Sequence, residues 1–261
     1  MMDEWVARRV NSAHVLKPCT PTRQRNYLYV AMEFIEGQTL TQWMIDHPKP
    51  ELEAVRGIVE QIARGLQAFH RMEMLHQDWR PENVMIDPLG TVKIIDFGST
   101  RVAGLLEGAV AAGPGDILCT VQYTAPEYFV GEVGSEQSDL FSLGVITYQM
   151  LTGRLPYGTQ VAGIRTKAAQ NKRVYATALD EHRAIPAWMD GVLMKAVHPN
   201  PHKRHEALSE FVHDLRHPNL AFLNPTRPAL AERYPLLFWK GLASALGDLV
   251  LLLLGVIRSI K

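Results

Sequence analysis

Between positions 51 and 72, apolar residues recur at Val55, Ile58, Val59, Ile62, Leu66 and Phe69. Steps of three and four place them on one face of a helix. Upstream, residues 27–35 (YLYVAMEFI) read as a buried strand. Residues 84–86 (VMI) and 92–95 (VKII) are two short β runs, and Asp87-Pro88-Leu89-Gly90 between them predicts a hairpin-like turn. Residues 142–151 (SLGVITYQML) are apolar enough for a buried helix. From 217 to 235 the pattern breaks: prolines at 218, 225, 228 and 235 disfavour a continuous helix and predict a linker.

The chain then turns apolar. Residues 236–257 (LLFWKGLASALGDLVLLLLGVI) make a run of 22, close to the ~20 that span a bilayer as a helix. Nine Leu with Phe238, Val250, Val256 and Ile257 give 13 strongly apolar residues. At roughly −0.5 kcal/mol each, they offset about +3 kcal/mol for Asp248 near the centre. Lys240 lies near the end, where its ammonium can snorkel to the headgroups. The expectation is a transmembrane helix; an amphipathic or buried C-terminal helix is the alternative. Basic residues lie on both sides (Arg227, Arg233 and Lys240; Arg258 and Lys261), so charge asymmetry does not set its orientation.

Composition narrows the class. The chain has 261 residues with 27 Lys plus Arg against 27 Asp plus Glu. Zero net charge argues against a nucleic-acid binder, which needs a basic surplus. Two cysteines, Cys19 and Cys119, build neither a disulfide framework nor a Cys-rich zinc site, and a reducing setting fits them best.

The chemistry concentrates in His76-Gln77-Asp78-Trp79-Arg80-Pro81-Glu82-Asn83, between the long helix and the hairpin. Asp96-Phe97-Gly98 follows, just past the second β run. One carboxylate can orient an attacking hydroxyl. An Asn amide oxygen and a second carboxylate are hard ligands for Mg²⁺. A cation beside the base, Arg80, can balance charge developing on a transferred phosphoryl group.

This order resembles the eukaryotic-type Ser/Thr protein kinases. The catalytic loop H-R-D-x-K-x-x-N is matched by HQDWRPEN and D-F-G by Asp96-Phe97-Gly98. G-T-x-x-Y-x-A-P-E is matched by residues 119–127 (CTVQYTAPE), and D-x-x-S-L-G by residues 139–144 (DLFSLG). N-P-x-x-R is matched by Asn200 to Arg204, and the hinge by Met32 to Gly37 (MEFIEG). Any one of these is weak evidence; six in order, with matching gaps, are specific, and they cover residues 3–216.

The resemblance implies a role at each matched position. Asp78 would be the base, Arg80 would contact the γ-phosphate, and Asn83 and Asp96 would hold Mg²⁺. Met85 would lie under adenine and Met32 would be the gatekeeper. Glu33 and Ile35 would offer hinge backbone groups. Asp139 would brace the catalytic loop, Glu127 and Arg204 would form a buried ion pair, and His76 would be a packed scaffold residue. Thr120 matches the threonine of Ser/Thr rather than Tyr kinases. The implied fold is α+β and protein-kinase-like. It would have a partial upper lobe (1–35), a mainly helical lower lobe (36–216), the linker (217–235) and the membrane helix (236–257). ATP and Mg²⁺ are the implied cofactors and a protein hydroxyl the acceptor. With ATP in the cytoplasm, the kinase region would face it from the inner membrane, held by a C-terminal tail anchor.

Departures matter as much. Gln77 replaces an Arg that pairs with phosphorylated activation loops, so switching of that kind is not expected, although Ser99, Thr100 and Thr120 are candidate phosphosites. Arg80 replaces a Lys, exchanging a point charge for a planar fork. Cys119 replaces a Gly. The Gly-rich strand-turn-strand and the strand Lys are missing, and the helix Glu falls on Asp3. Lys17 and Lys93 are the candidates to replace that Lys, and both are expected to be solvated. Only the last two upper-lobe strands remain, and an isolated hairpin is marginal. A non-catalytic kinase-like module is therefore the competing reading. A start at Met1 that falls late in a longer gene would explain the gap. The tail, DEWVARRVNSAHVLKP and HQDWRPEN also resemble bacterial bifunctional proteins in which a PP2C-like phosphatase domain precedes the kinase. Sequencing upstream of Met1 should find an open frame; an in-frame stop close behind it would refute the late start.

Overall fold

The computed structural model describes residues 2–20, 27, 29–96, 100–102, 121–158, 166, 170, 173–180, 184–222, 240 and 244. The chain divides into two units, 1–223 and 224–261. Among the described residues no helix is long and apolar enough to cross a membrane. The expected span 236–257 lies outside them apart from Lys240 and Ser244.

The first unit is organised by a long amphipathic helix. Six helices are described: α1 Met2–Arg9, α2 Leu40–Asp46, α3 Leu52–His70, α4 Glu136–Thr152, α5 Ala187–Ala196 and α6 Leu208–Arg216. α3 realises the 51–72 periodicity and buries Val55, Ile58, Val59, Ile62, Leu66 and Phe69. It packs against α4, α6 and the hairpin. Gly65 on this face allows a close approach: a Cβ there would run into Ile94 Cδ1 and lie 3.2 Å from the His14 carbonyl oxygen.

α4 is longer than the apolar run 142–151, because its first turn is polar yet buried. Ser138, Asp139 and Ser142 are all inside. The Ser135 N–H donates to Ser138 Oγ at 2.9 Å, fixing the N-terminus. At the other end Gly153, at φ 70°, donates its N–H to Gln149 O at 2.7 Å.

Five short strands are β1 Gln38–Thr39, β2 Met74–Leu75, β3 Val84–Ile86, β4 Val92–Ile94 and β5 Arg101–Val102. The expected hairpin is β3–β4, antiparallel, with Met85 opposite Lys93 and β1 on its outer edge. Its turn is held by Asp87, whose Oδ1 accepts the N–H of Leu89 and Thr91, while Gly90 takes φ 81°. β2 pairs antiparallel with β5 in a separate two-stranded ladder.

The segment 27–35 departs from expectation. It forms no regular strand: Met32 makes a single antiparallel bridge to Pro18, and Phe34 is 91% exposed. The described strands give this stretch one partner only, and two-stranded pairing alone sustains little regular ladder. It is bonded instead to Lys17 and Cys19, whose neighbours are held by the lower lobe. His14 O accepts from Ile94 N at 3.0 Å, and Leu16 N donates to Ile94 O at 2.9 Å. Val6, Val10, Val15 and Leu16 join the main apolar core.

One buried ion pair fastens the far end of the unit. Arg204 and Glu127 meet through two bonds of 2.8 and 2.7 Å, with side chains 0% and 4% exposed. The remaining guanidinium N–H groups go to the carbonyls of Gln137, His198 and Pro199, so all five donors are used. Ser138 Oγ donates to Glu127 Oε1 at 2.6 Å, linking the pair to α4. Burial alone would raise the Glu127 pKa, but Arg204 and Ser138 outweigh it and hold the carboxyl below its ordinary 4.5. Its stabilisation is therefore full above about pH 4.5 and lost as pH falls through the lowered value. Arg204→Met should cost about 3–5 kcal/mol in denaturant unfolding, because it strands a buried carboxylate. Adding Glu127→Gln should recover part of that loss, and a double variant no better than the single would refute this account.

Candidate active site

The catalytic-loop residues 76–83 run between β2 and β3, while Asp96 lies in the connection from β4 to β5. The two ladders thus fix both ends of both segments. They are also joined directly, because the Ile95 N–H donates to Asn83 O at 3.0 Å.

The loop is hung from α4. Asp139, 1% exposed, accepts the N–H of His76 at 3.1 Å and of Gln77 at 3.2 Å. His70 on α3 shares Asp139 Oδ2 at 2.9 Å. Gln77 takes φ 68°, a left-handed conformation that costs a non-glycine residue about 1–3 kcal/mol. The two bonds to Asp139 oppose that cost and turn the chain toward Asp78. Beneath the loop, Trp79 is 1% exposed and its ring lies 4.5 Å from that of His76. His76 is buried, and desolvation lowers its pKa despite nearby carboxylates, which keeps it neutral. It is a packed scaffold residue.

The polar cluster itself is tight. Asn83, 4% exposed, donates from Nδ2 to the Asp78 backbone oxygen at 2.9 Å and to its Oδ2 at 3.4 Å. Arg80 Nε lies 3.4 Å from Asn83 Oδ1 and 3.8 Å from Asp78 Oδ2. Asp78 Oδ1 is buried with no hydrogen-bond partner. A buried acceptor without a donor is costly. Asp96 is exposed, and it is brought next to Asn83 through Ile95. An amide oxygen and a carboxylate at adjoining positions fit Mg²⁺, which favours oxygen ligands and keeps several of its own waters.

The residues implied for adenine lie along the other side of β3. Met85 is half-buried, and Met32 and Ile35 pack partly buried against the core. The Glu33 N–H is already committed to the Lys17 carbonyl at 2.9 Å. The hinge group Glu33 retains for a base is therefore its carbonyl. Two sequence expectations are corrected here. Lys93 is not solvated: its ammonium lies 2.5 Å from Glu33 Oε1. It sits at the hinge and does not replace the missing strand Lys. Thr100 is 4% exposed, too buried to be reached as a phosphosite in this conformation. Phe97, Gly98, Ser99, Cys119 and Thr120 lie outside the described residues, as does the Asp3 side chain.

His205, Glu210 and Asp214 also converge, with ligand atoms within 4.8 Å of one another. Lys195 already supplies a cation there, 2.5 Å from Glu210 Oε1.

Asp78, Asn83 and Asp96 are thus strung between two ladders, on segments joined to each other and, through the loop, to a buried helix. The sequence profile of the protein kinase domain matches residues 2–216, and the chain belongs to that family. Serine/threonine-protein kinase PrkC of Bacillus subtilis is 29% identical over 193 residues, 72% of this chain and 28% of that protein. Serine/threonine-protein kinase PknB of Mycobacterium tuberculosis is 31% identical over 191 residues, covering 72% and 30%. Serine/threonine-protein kinase pkn3 of Myxococcus xanthus is 31% identical over 196 residues, covering 72% and 36%. The chain thus matches little more than a third, at most, of these relatives' lengths.

Asp139→Ala should release the two loop amides. Hydrogen exchange at His76 and Gln77 should speed markedly while the α6 amides stay protected; unchanged loop exchange would show that Asp139 is not the brace.

Proposed function

We propose that this chain is the catalytic lobe and hinge of a bacterial Ser/Thr protein kinase that transfers the ATP γ-phosphoryl group to a protein hydroxyl. The observation that carries this is the Asp78 carboxylate set beside Asn83 and Arg80 on the loop that Asp139 holds.

In this reading Asp78 orients the acceptor hydroxyl and takes its proton as the hydroxyl oxygen bonds to γ-phosphorus. The bond from that phosphorus to the β-bridging oxygen breaks, and ADP leaves. Arg80, already drawn toward Asp78 and Asn83, is within reach of the charge that builds on the transferring oxygens. Asn83 and Asp96 would hold Mg²⁺, which would supply charge neutralisation for the phosphates. Met85, Met32 and the carbonyl of Glu33 with the backbone of Ile35 would receive adenine. Proton transfer by a positioned group typically contributes about 10²–10⁴-fold.

The apolar run 236–257 supports a membrane-tethered form, with the kinase on the cytoplasmic face and four residues beyond the span. The resemblance to PP2C-linked kinases supports a phosphatase domain as a covalent partner in a longer product. A fractionation that leaves the chain wholly soluble would contradict the tether.

A non-catalytic kinase-like interaction module that still binds nucleotide is the second reading. Its support is specific: Lys93, a candidate to replace the strand Lys, is committed to Glu33. Two measurements on the same chain separate them. For a kinase, MgADP raises the melting temperature, and labelled phosphate passes from MgATP to a generic basic protein. Asp78→Ala should then lose about 10²-fold or more in transfer while keeping the thermal shift. A shift without transfer supports the module; neither effect refutes both.

A further inference from the structure

We propose that Lys93 is a positioning residue that fixes the hinge to the floor of the adenine site. This rests on the kinase reading of that site.

The geometry begins with register. Met85 and Lys93 are directly opposed in the β3–β4 ladder. Opposed residues of an antiparallel pair project from the same face, with Cβ atoms about 4.5–5.5 Å apart. The Lys93 stem therefore runs beside Met85, the floor residue. Its ammonium ends on Glu33, the edge residue, at 2.5 Å. One side chain thus spans floor to edge.

Glu33 gathers a second strand as well. Its Oε1 also accepts the Lys17 N–H at 2.8 Å, and its own N–H donates to the Lys17 carbonyl at 2.9 Å. The Cys19 N–H donates to Ala31 O at 2.8 Å, one rung further on. Residues 14–16 are bonded to Ile94, the neighbour of Lys93, through the His14 and Leu16 backbone. The hinge therefore reaches the lower-lobe sheet by two routes: a backbone route through 14–19 and a side-chain route through Lys93. Neither member of the ion pair is free in solvent, with side chains 19% and 29% exposed.

The usual competitor is a surface ion pair of little consequence. Three features separate this one from that case. It joins residues 60 apart in sequence. It shares its acceptor oxygen with a backbone N–H. It closes a ring that includes the two places where a planar base would be held. Neutralising Lys93 leaves the backbone route intact, so the lobe stays folded while the hinge gains freedom.

The test uses the whole chain with Lys93→Met and Lys93→Arg. Without ligand, Lys93→Met should speed hydrogen exchange at the Glu33 and Cys19 amides by about five-fold, with α3 and α4 unchanged. With ligand, it should weaken adenosine and MgADP by the same factor, because the change lies at the base and not at the phosphates. Lys93→Arg should restore both. Wild-type exchange in Lys93→Met, or a loss confined to MgADP, would overturn the proposal. Failure of the kinase reading is seen separately, in the unmodified chain, as no binding of adenosine or MgADP.

Discussion

Buried in the first turn of α4, the Asp139 carboxylate sits where a charge is tolerable only if donors surround it. It has three: the amides of His76 and Gln77 and the ring of His70. Those amides belong to a loop with no ladder of its own, so without Asp139 their donors would be buried and unsatisfied. The satisfaction is mutual. It also sets direction, because the two bonds force Gln77 into the left-handed region and turn the chain so that Asp78 meets Asn83.

The neighbouring residue extends the constraint the other way. Ser138 bonds Glu127, and Glu127 is gripped by Arg204. Successive residues of one helical turn thus serve two networks, one holding the catalytic loop and one holding the segment that begins at 121. This explains why α4 is buried all round yet begins with polar residues. An apolar first turn would pack as well, but it would leave the loop amides without an acceptor and Glu127 without the Ser138 donor. The arrangement makes α4 a datum from which both segments are positioned.

Much of this was legible in the chain. The α3 stripe and the β3–β4 hairpin follow from local periodicity and turn chemistry, which tertiary contacts only reinforce. The Asp139 brace and the Glu127–Arg204 pair were legible by resemblance alone, since no local rule links residues 63 or 77 apart. The 27–35 segment misled because its apolar composition suits a central strand, whereas it has one neighbour and leaves Phe34 in water. Lys93 misled for a different reason. An alternating Val-Lys-Ile strand does place a lysine on the Met85 face, but whether an anion waits there depends on a residue 60 positions earlier. The Gln77 backbone could not be read at all, because Gln carries no preference for positive φ and only the pull of Asp139 imposes it.

The stretch from 14 to 35 shows how residues with few strand partners among the described ones are still held in place. An isolated hairpin is marginal because the conformational entropy of two strands exceeds what one row of hydrogen bonds returns. Here the hairpin does not stand alone. Val15 and Leu16 are in the main core, and the backbone at 14–16 adds rungs to β4. The Gly65 face of α3 leaves room for His14 and Ile94 together. The segment between α1 and the hinge is thus, energetically, an extension of the lower lobe. Residues 14–16 therefore share the rigidity of that lobe, and the residues bonded to them, Lys17 to Glu33 and Cys19 to Ala31, take their anchorage from it in turn.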